Sequence, residues 1–204
     1  MASRVPAIIL AAGESKRMGQ SKLLMPLGNK SIIEMTVDNY LTSDVMDVII
    51  IVGNETDEIV SRIDSKGVKI RTNRDYYGGM GTSISAGMHS LDKDYDGVMI
   101  ALGDQPFVDH LTINLLVEAF GVCTEGVVVP LFRGRRGHPI VFSKKYEDDL
   151  KALKGDVGGR QILESYPEDI LEVTVDCEGT VIDIDTLDGY QSAVRLAGIE
   201  RTHW

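Results

Sequence analysis

Three short segments without alternation limit the possible folds of this chain more than any other feature. The runs 7–11 (AIILA), 48–52 (VIIIV) and 97–102 (GVMIAL) are apolar at nearly every position. Successive side chains of a strand point to opposite faces, so a strand with one wet face alternates apolar and polar residues. Strands that are apolar throughout must be covered on both faces, as in a mostly parallel sheet held between two layers of helices. Further strands are expected at 68–71, 126–129, 140–142, 171–175 and 181–184. Helical patterns lie between them. Ser31 followed three residues later by Glu34 opens one as a capping box, with Ile33, Val37 and Tyr40 on its buried face. Others fit 56–63, 83–90, 109–120, 144–153, 160–165 and 187–196. The expected fold is a three-layer αβα sandwich in one domain spanning residues 1–204. A chain of this length buries about 70% of its unfolded surface without a disulfide or structural metal. Cys123 and Cys177 accordingly stand apart, with no metal-ligand spacing.

The formal net charge of −10 argues against a nucleic-acid or anionic-membrane partner. No apolar stretch approaches the ~20 residues of a membrane span, and the opening residues hold no convincing signal-peptide cleavage site, so a cytoplasmic protein is expected. The cations are unevenly placed. Arg17, Lys22, Arg74, the cluster Arg133, Arg135 and Arg136, and Arg160 all lie in glycine-rich segments, where backbone can approach a ligand closely. Cationic loops on an acidic protein suit a small polyanionic substrate.

The first strand runs straight into a loop carrying Gly13, Arg17, Gly19 and Lys22. Its spacing is neither the Walker pattern nor the dinucleotide fingerprint G-x-G-x-x-G. A loop this long, with its charge at Arg17 and Lys22, is expected to wrap a nucleoside triphosphate rather than cap a helix. The strand at 97–102 ends in Gly103-Asp104-Gln105-Pro106, where Asp104 is placed either to hold Mg²⁺ against phosphates or to start a turn. The cationic loop beside it favours the metal. Near the carboxyl end, VIDIDT puts Asp183 and Asp185 on one face and Ile182 and Ile184 on the other, so one of these carboxylates could complete the site, while Asp185 or Thr186 could instead cap the following helix. Asn73 and the segment Tyr76-Tyr77-Gly78-Gly79-Met80-Gly81-Thr82-Ser83-Ile84-Ser85 form a glycine and hydroxyl loop. It reads equally as a base pocket and as a flexible turn with a serine cap. In parallel sheets ligands bind beyond the carboxyl ends of the strands, where these loops should converge.

With these motifs in place the chain resembles the molybdenum cofactor nucleotidyltransferases, and the cytidylyltransferases among them more than the guanylyltransferases. The resemblance runs from about Ala7 to Leu196 and rests on LAAGESKRMGQSKLL, GDQP, RGHP, GDVGGR and DIDT in that order. It implies a Rossmann-like sheet of the nucleotide-diphospho-sugar transferase type. Leu10, Ala11, Ala12 and Gly13 would offer backbone to the base, Arg17 and Lys22 would hold the triphosphate, and Asn73, Gly81, Ser83 and Ser85 would complete the nucleotide site. Asp104 would bind Mg²⁺, with Asp185 a better second ligand than Asp183. Ala12, where guanine-using members have glycine, goes with cytosine. Gln105, Arg136, Gly137, His138, Pro139, Asp156 and Arg160 would line the pterin side, and Gly159 stands where alanine is usual. The implied partners are CTP, a molybdopterin-type cofactor, and a recipient molybdoenzyme or its chaperone. The implied reaction is in-line attack of a phosphate monoester on the α-phosphorus of CTP. That nucleophile has a second pKa of about 6 and needs no general base, which leaves His138 to shape the acceptor pocket. A sugar-phosphate nucleotidyltransferase and a non-catalytic nucleotide carrier are the competing readings.

Overall fold

The computed structural model describes residues 3–13, 21–53, 56–92, 94–123 and 126–198. In chain order the elements are β1 (Ala7–Ala11), a hairpin of β2 (Pro26–Leu27) and β3 (Lys30–Ser31), α1 (Ile32–Leu41), β4 (Val48–Val52), α2 (Thr56–Ile63), β5 (Lys69–Thr72), α3 (Met80–His89), β6 (Gly97–Leu102), α4 (His110–Val122), β7 (Val127–Phe132), β8 (Arg135–Arg136), β9 (Ile140–Ser143), α5 (Glu147–Ala152), α6 (Arg160–Ser165), β10 (Ile170–Thr174) and α7 (Leu187–Leu196). The main sheet has the order β10-β7-β9-β6-β1-β4-β5, with β8 paired to β7. β5, β4, β1 and β6 run parallel, β9 is antiparallel to both its neighbours, and β10 is parallel to β7.

The non-alternating strands occupy the interior of this sheet. In β1, Ala7, Ile9 and Ala11 join the apolar layer formed with Ile33, Val37 and Tyr40 of α1, Ile59 of α2 and Ile113, Leu116 and Phe120 of α4. Ile8 points the other way, to Ile84 and Met88 of α3, Leu150 of α5 and Ile162 of α6. Two apolar layers on opposite faces make the three-layer arrangement. The edge strands show the converse. β5 is exposed or half-buried along its length, as is β10, because each has one sheet neighbour and an open side.

Local signals behave as the chemistry requires. The Ser31 N–H donates to Glu34 Oε2 at 2.8 Å and its hydroxyl donates to the same oxygen at 2.6 Å, which starts α1. Asp109 caps α4 by accepting from the Thr112 N–H at 2.7 Å. The strand expected at 181–184 is absent, and this is the largest correction. Glu178–Val181 forms a short 3₁₀ helix, and residues 182–185 run extended without pairing to the sheet. Alternation survives the loss of the strand, since Ile184 is buried in the core while Asp183 and Asp185 face the cavity. The stretch expected as one helix at 144–153 divides into a 3₁₀ turn, Lys144–Tyr146, and α5. α3 begins at Met80, three residues before the expected start.

Candidate active site

A cavity of about 690 Å³ opens at the carboxyl ends of β1 and β6. β1 brings Leu10 and Ala11 to its floor and passes directly into Ala12 and Gly13. The Gly103 N–H donates to the Leu10 carbonyl at 2.9 Å, which extends the β1–β6 pairing by one step and aims the next residue, Asp104, into the cavity. The Ile184 N–H reaches the Asp104 carbonyl at 3.4 Å, so the segment carrying Asp183 and Asp185 is tied to the same strand end.

Lys22 is the hub of the polar end. Its ammonium donates to the Asp104 carboxylate and, at 2.7 Å, to Asp185 Oδ1. Burial disfavours its charge, but the two carboxylates outweigh that cost and hold its pKa above the ordinary lysine value. Burial also lifts the Asp104 carboxyl above the usual range against the pull of Lys22, with Asp183 and Asp185 adding like-charge repulsion. Asp183 takes a different partner, accepting from Gln105 Nε2 at 2.7 Å. Thr186 caps α7, accepting from the Gly189 N–H at 3.1 Å. Hard oxygen donors that already share one cation are chemically suited to a divalent ion completed by phosphate and water. Among the described residues no group of three or more His, Cys, Asp or Glu forms a metal site by itself.

The other expected residues separate into those that reach the cavity and those that support it. Leu10, Ala11, Ala12, Gly13, Lys22, Ser83, Asp104, Asp156 and Asp185 line it. Arg17 lies outside the described residues. Asn73 is buried and donates to the Thr82 and Ser83 hydroxyls at 2.9 and 3.0 Å, holding the loop before α3. Ser85 turns away and donates to the Lys151 carbonyl at 2.6 Å, joining α3 to α5. Gly81 serves backbone contact, for its N–H donates to the Gly155 carbonyl at 2.8 Å and a methyl there would sit 2.9 Å from the Lys154 nitrogen. Gly79, at φ +94°, could not carry a side chain without meeting the Gly155 carbonyl. These glycines let the 154–156 loop close on α3, and Asp156 thereby reaches the cavity.

Gln105 is buried, with its amide spent on Asp183 and, at 3.4 Å, the Thr180 carbonyl. Gly137 is buried against Thr180, and the His138 N–H donates to the Thr180 carbonyl at 2.9 Å, with Pro139 buried beyond it. Burial holds the His138 imidazole below its ordinary pKa, against the opposing charge of Asp183, so the ring is neutral at pH 7. Arg136 pairs with Glu172 at 2.6 Å, and Arg160 pairs with Glu164 at 2.8 Å on an exposed turn of α6. Neither arginine lines the cavity. The apolar lining is only partly legible in the sequence: the loop from Tyr76 to Ser85 can be read as a base pocket, but that reading gives no individual role to its Tyr76, Tyr77 or Met80, nor to Leu23 and Leu102. Leu23, Tyr76, Tyr77, Met80 and Leu102 supply much of the wall. Two adjacent tyrosines in a glycine-rich loop were the available signal.

Residues 7–170 match the model of the MobA-like NTP transferase domain. Purine catabolism protein PucB of Bacillus subtilis (strain 168) is 33% identical over 202 residues, covering 92% of this chain and 95% of that one. Nicotine blue oxidoreductase of Paenarthrobacter nicotinovorans is 28% identical, covering 90% and 93%. Molybdenum cofactor cytidylyltransferase of Escherichia coli (strain K12) is 29% identical, covering 94% and 96%. The crystal structure of an Rv0371c homologue from Mycobacterium sp. strain JC1 superposes with a TM-score of 0.87 at 26% identity, covering 97% of this chain and 98% of that one.

Proposed function

The chain belongs to the MobA-like NTP transferase family, and from that premise we propose that it transfers CMP from CTP to the terminal phosphate of a molybdopterin-bound molybdenum cofactor, releasing pyrophosphate. The observation that carries this reading is the Lys22 ammonium between Asp104 and Asp185, at the polar end of a cavity floored by Ala11, Ala12 and Gly13. A buried cation beside two carboxylates suits phosphates and their counterion, and the bare backbone at the other end suits a flat base.

Lys22 stays charged at neutral pH, so it can neutralise the pyrophosphate as negative charge grows on it. The resemblance gives Arg17 a share in holding the triphosphate. Asp104 and Asp185 are the residues that would hold Mg²⁺, and sharing one cation in this structure supports Asp185 over Asp183 as the second ligand. When bound, the ion supplies charge neutralisation at the phosphates. Gln105 fixes Asp183, which leaves that carboxylate in the cavity wall as an oriented acceptor. His138, neutral and buried, has no proton to remove from a phosphate nucleophile that is already ionised. It shapes the acceptor side.

Base choice falls to the Ala11–Gly13 backbone. Ala12 carries a methyl group where guanine-using members have glycine, and that residue is buried beside Gly53 and Tyr76. Alanine restricts the backbone that would read the base edge, where glycine would leave it freer, and a restricted backbone favours one base over another. Purified molybdenum cofactor incubated with CTP, GTP or ATP under Mg²⁺ tests the reading through product and pyrophosphate. CTP should be preferred, and Ala12→Gly should relax the preference. Equal use of CTP and GTP by the wild type would overturn the cytidylyl assignment. Pyrophosphate release with a sugar phosphate and none with the cofactor would keep nucleotidyl transfer and overturn the acceptor.

A further inference from the structure

We propose that Tyr77 is a nucleotide-binding residue that stacks on the nucleobase, with Tyr76 as its backing; the inference rests on the reading that this cavity takes a nucleoside triphosphate. Tyr77 is 75% exposed, although it lines the cavity. A tyrosine left this open beside a site of about 690 Å³ keeps most of its ring surface available to a ligand. Its ring is not loose. Tyr76 meets it edge-on, with ring centroids 5.9 Å apart and planes at 73°, and the Tyr77 hydroxyl donates to Asp75 Oδ1 at 3.3 Å. Asp75 is in turn fixed, its N–H donating to Asn73 Oδ1 at 3.0 Å. An edge-to-face contact occupies a tyrosine on one side and leaves a ring face for a second planar group.

The position of the pair selects the nucleobase over a ring on the acceptor. Tyr76 packs by its Cβ beside Gly53, which follows β4, and Ala12, which follows β1. Asp104 lies just beyond β6, on the other side of β1 in the sheet, and shares the Lys22 ammonium with Asp185. The aromatic pair and the ionic group thus meet the same cavity from opposite sides of β1, as a base linked to a triphosphate requires. A stacking wall grips any base by its face, whereas the Ala11–Gly13 backbone reads the edge. Tyr77 therefore sets affinity for the base, and Ala12 sets its identity.

The test is calorimetric titration without acceptor, using CTP, GTP, ATP, UTP and inorganic tripolyphosphate as probes under Mg²⁺. Tyr77→Ala should weaken the best-bound nucleotide about tenfold and leave tripolyphosphate unchanged. Tyr77→Phe should retain wild-type affinity for both. A Tyr77→Ala protein that binds nucleotide as well as wild type, or loses nucleotide and tripolyphosphate in equal measure, overturns the stacking role. So does a raised acceptor KM with unaltered nucleotide affinity, which would give the wall to the acceptor. Wild type that binds none of the probes would instead overturn the nucleotide reading itself, and the stacking role with it.

Discussion

The nucleotide side of the cavity and the expected acceptor side are held in opposite ways. On the first, Lys22 and Asp104 are largely withdrawn from water and so are paired, with the more exposed Asp185 closing on the same ammonium. On the second, Arg136 and Arg160 point to Glu172 and Glu164 at the protein surface, where both partners stay hydrated. A surface ion pair contributes about 0–1 kcal/mol, so a ligand can take such an arginine from its partner at little cost. The pair of Lys22 and Asp104, with side chains only 19% and 13% exposed, cannot be rearranged so cheaply. The polar end of the cavity is organised before any ligand arrives, while the two surface arginines remain available to one.

The sharpest way to break this contrast is Asp104→Ala. Turnover should fall by about 10³-fold or more, the scale of losing a preorganised charged group in a closed site. The fold should persist, with a melting temperature within about 4 °C of wild type. Asp104→Asn should be nearly as inactive, since an amide supplies oxygen without charge. Either variant working at near-normal rate under saturating Mg²⁺ would show that the polar end is a structural ion pair only.

Lys22→Ala comes next, at about 10²-fold in kcat with a smaller change in nucleotide affinity. An interaction that strengthens as the leaving group gains charge affects rate more than binding. A raised KM for CTP with unchanged kcat would make Lys22 a uniform binding residue and remove the preorganisation argument.

Arg136→Ala and Arg160→Ala probe the two arginines paired at the surface. Each should alter the melting temperature by less than about 2 °C and leave nucleotide affinity intact, while raising acceptor KM by roughly three- to tenfold in steady-state kinetics. If acceptor KM does not move, these arginines do not swing to substrate, and their ion pairs are their role.

His138 gives the smallest effect. Its pKa is lowered in the folded protein, so the unfolded chain binds more protons between that lowered value and about 6.5. Stability should therefore fall as pH drops below about 6.5, by at most about 1.4 kcal/mol per unit from this group, in urea titrations from pH 7.5 to 5.5. His138→Asn should flatten that slope. An unchanged slope would mean that His138 is hydrated and belongs with the exposed arginines rather than the buried wall.

Short-range rules account for what the sequence alone determined. AIILA, VIIIV and GVMIAL could only be strands covered on both faces, and Ser31 with Glu34 could cap a helix whatever lay beyond it. Asp104 at a strand end and the cations of the first loop announced an anion site, because strand direction brings such loops to one edge of a parallel sheet. Tertiary structure alone decided which polar group met which. Ser85 met the Lys151 carbonyl, Asn73 met Thr82 and Ser83, Gln105 met Asp183, and Gly79 and Gly81 made room for backbone at 154–156. Residues 182–185 kept their alternation without a strand, because Ile184 had a core to enter and Asp183 and Asp185 had Gln105 and Lys22 to meet. Burying apolar groups is non-directional and follows from pattern, whereas a hydrogen bond depends on atoms meeting within about 3 Å, and residues far apart in sequence meet only after the chain has folded.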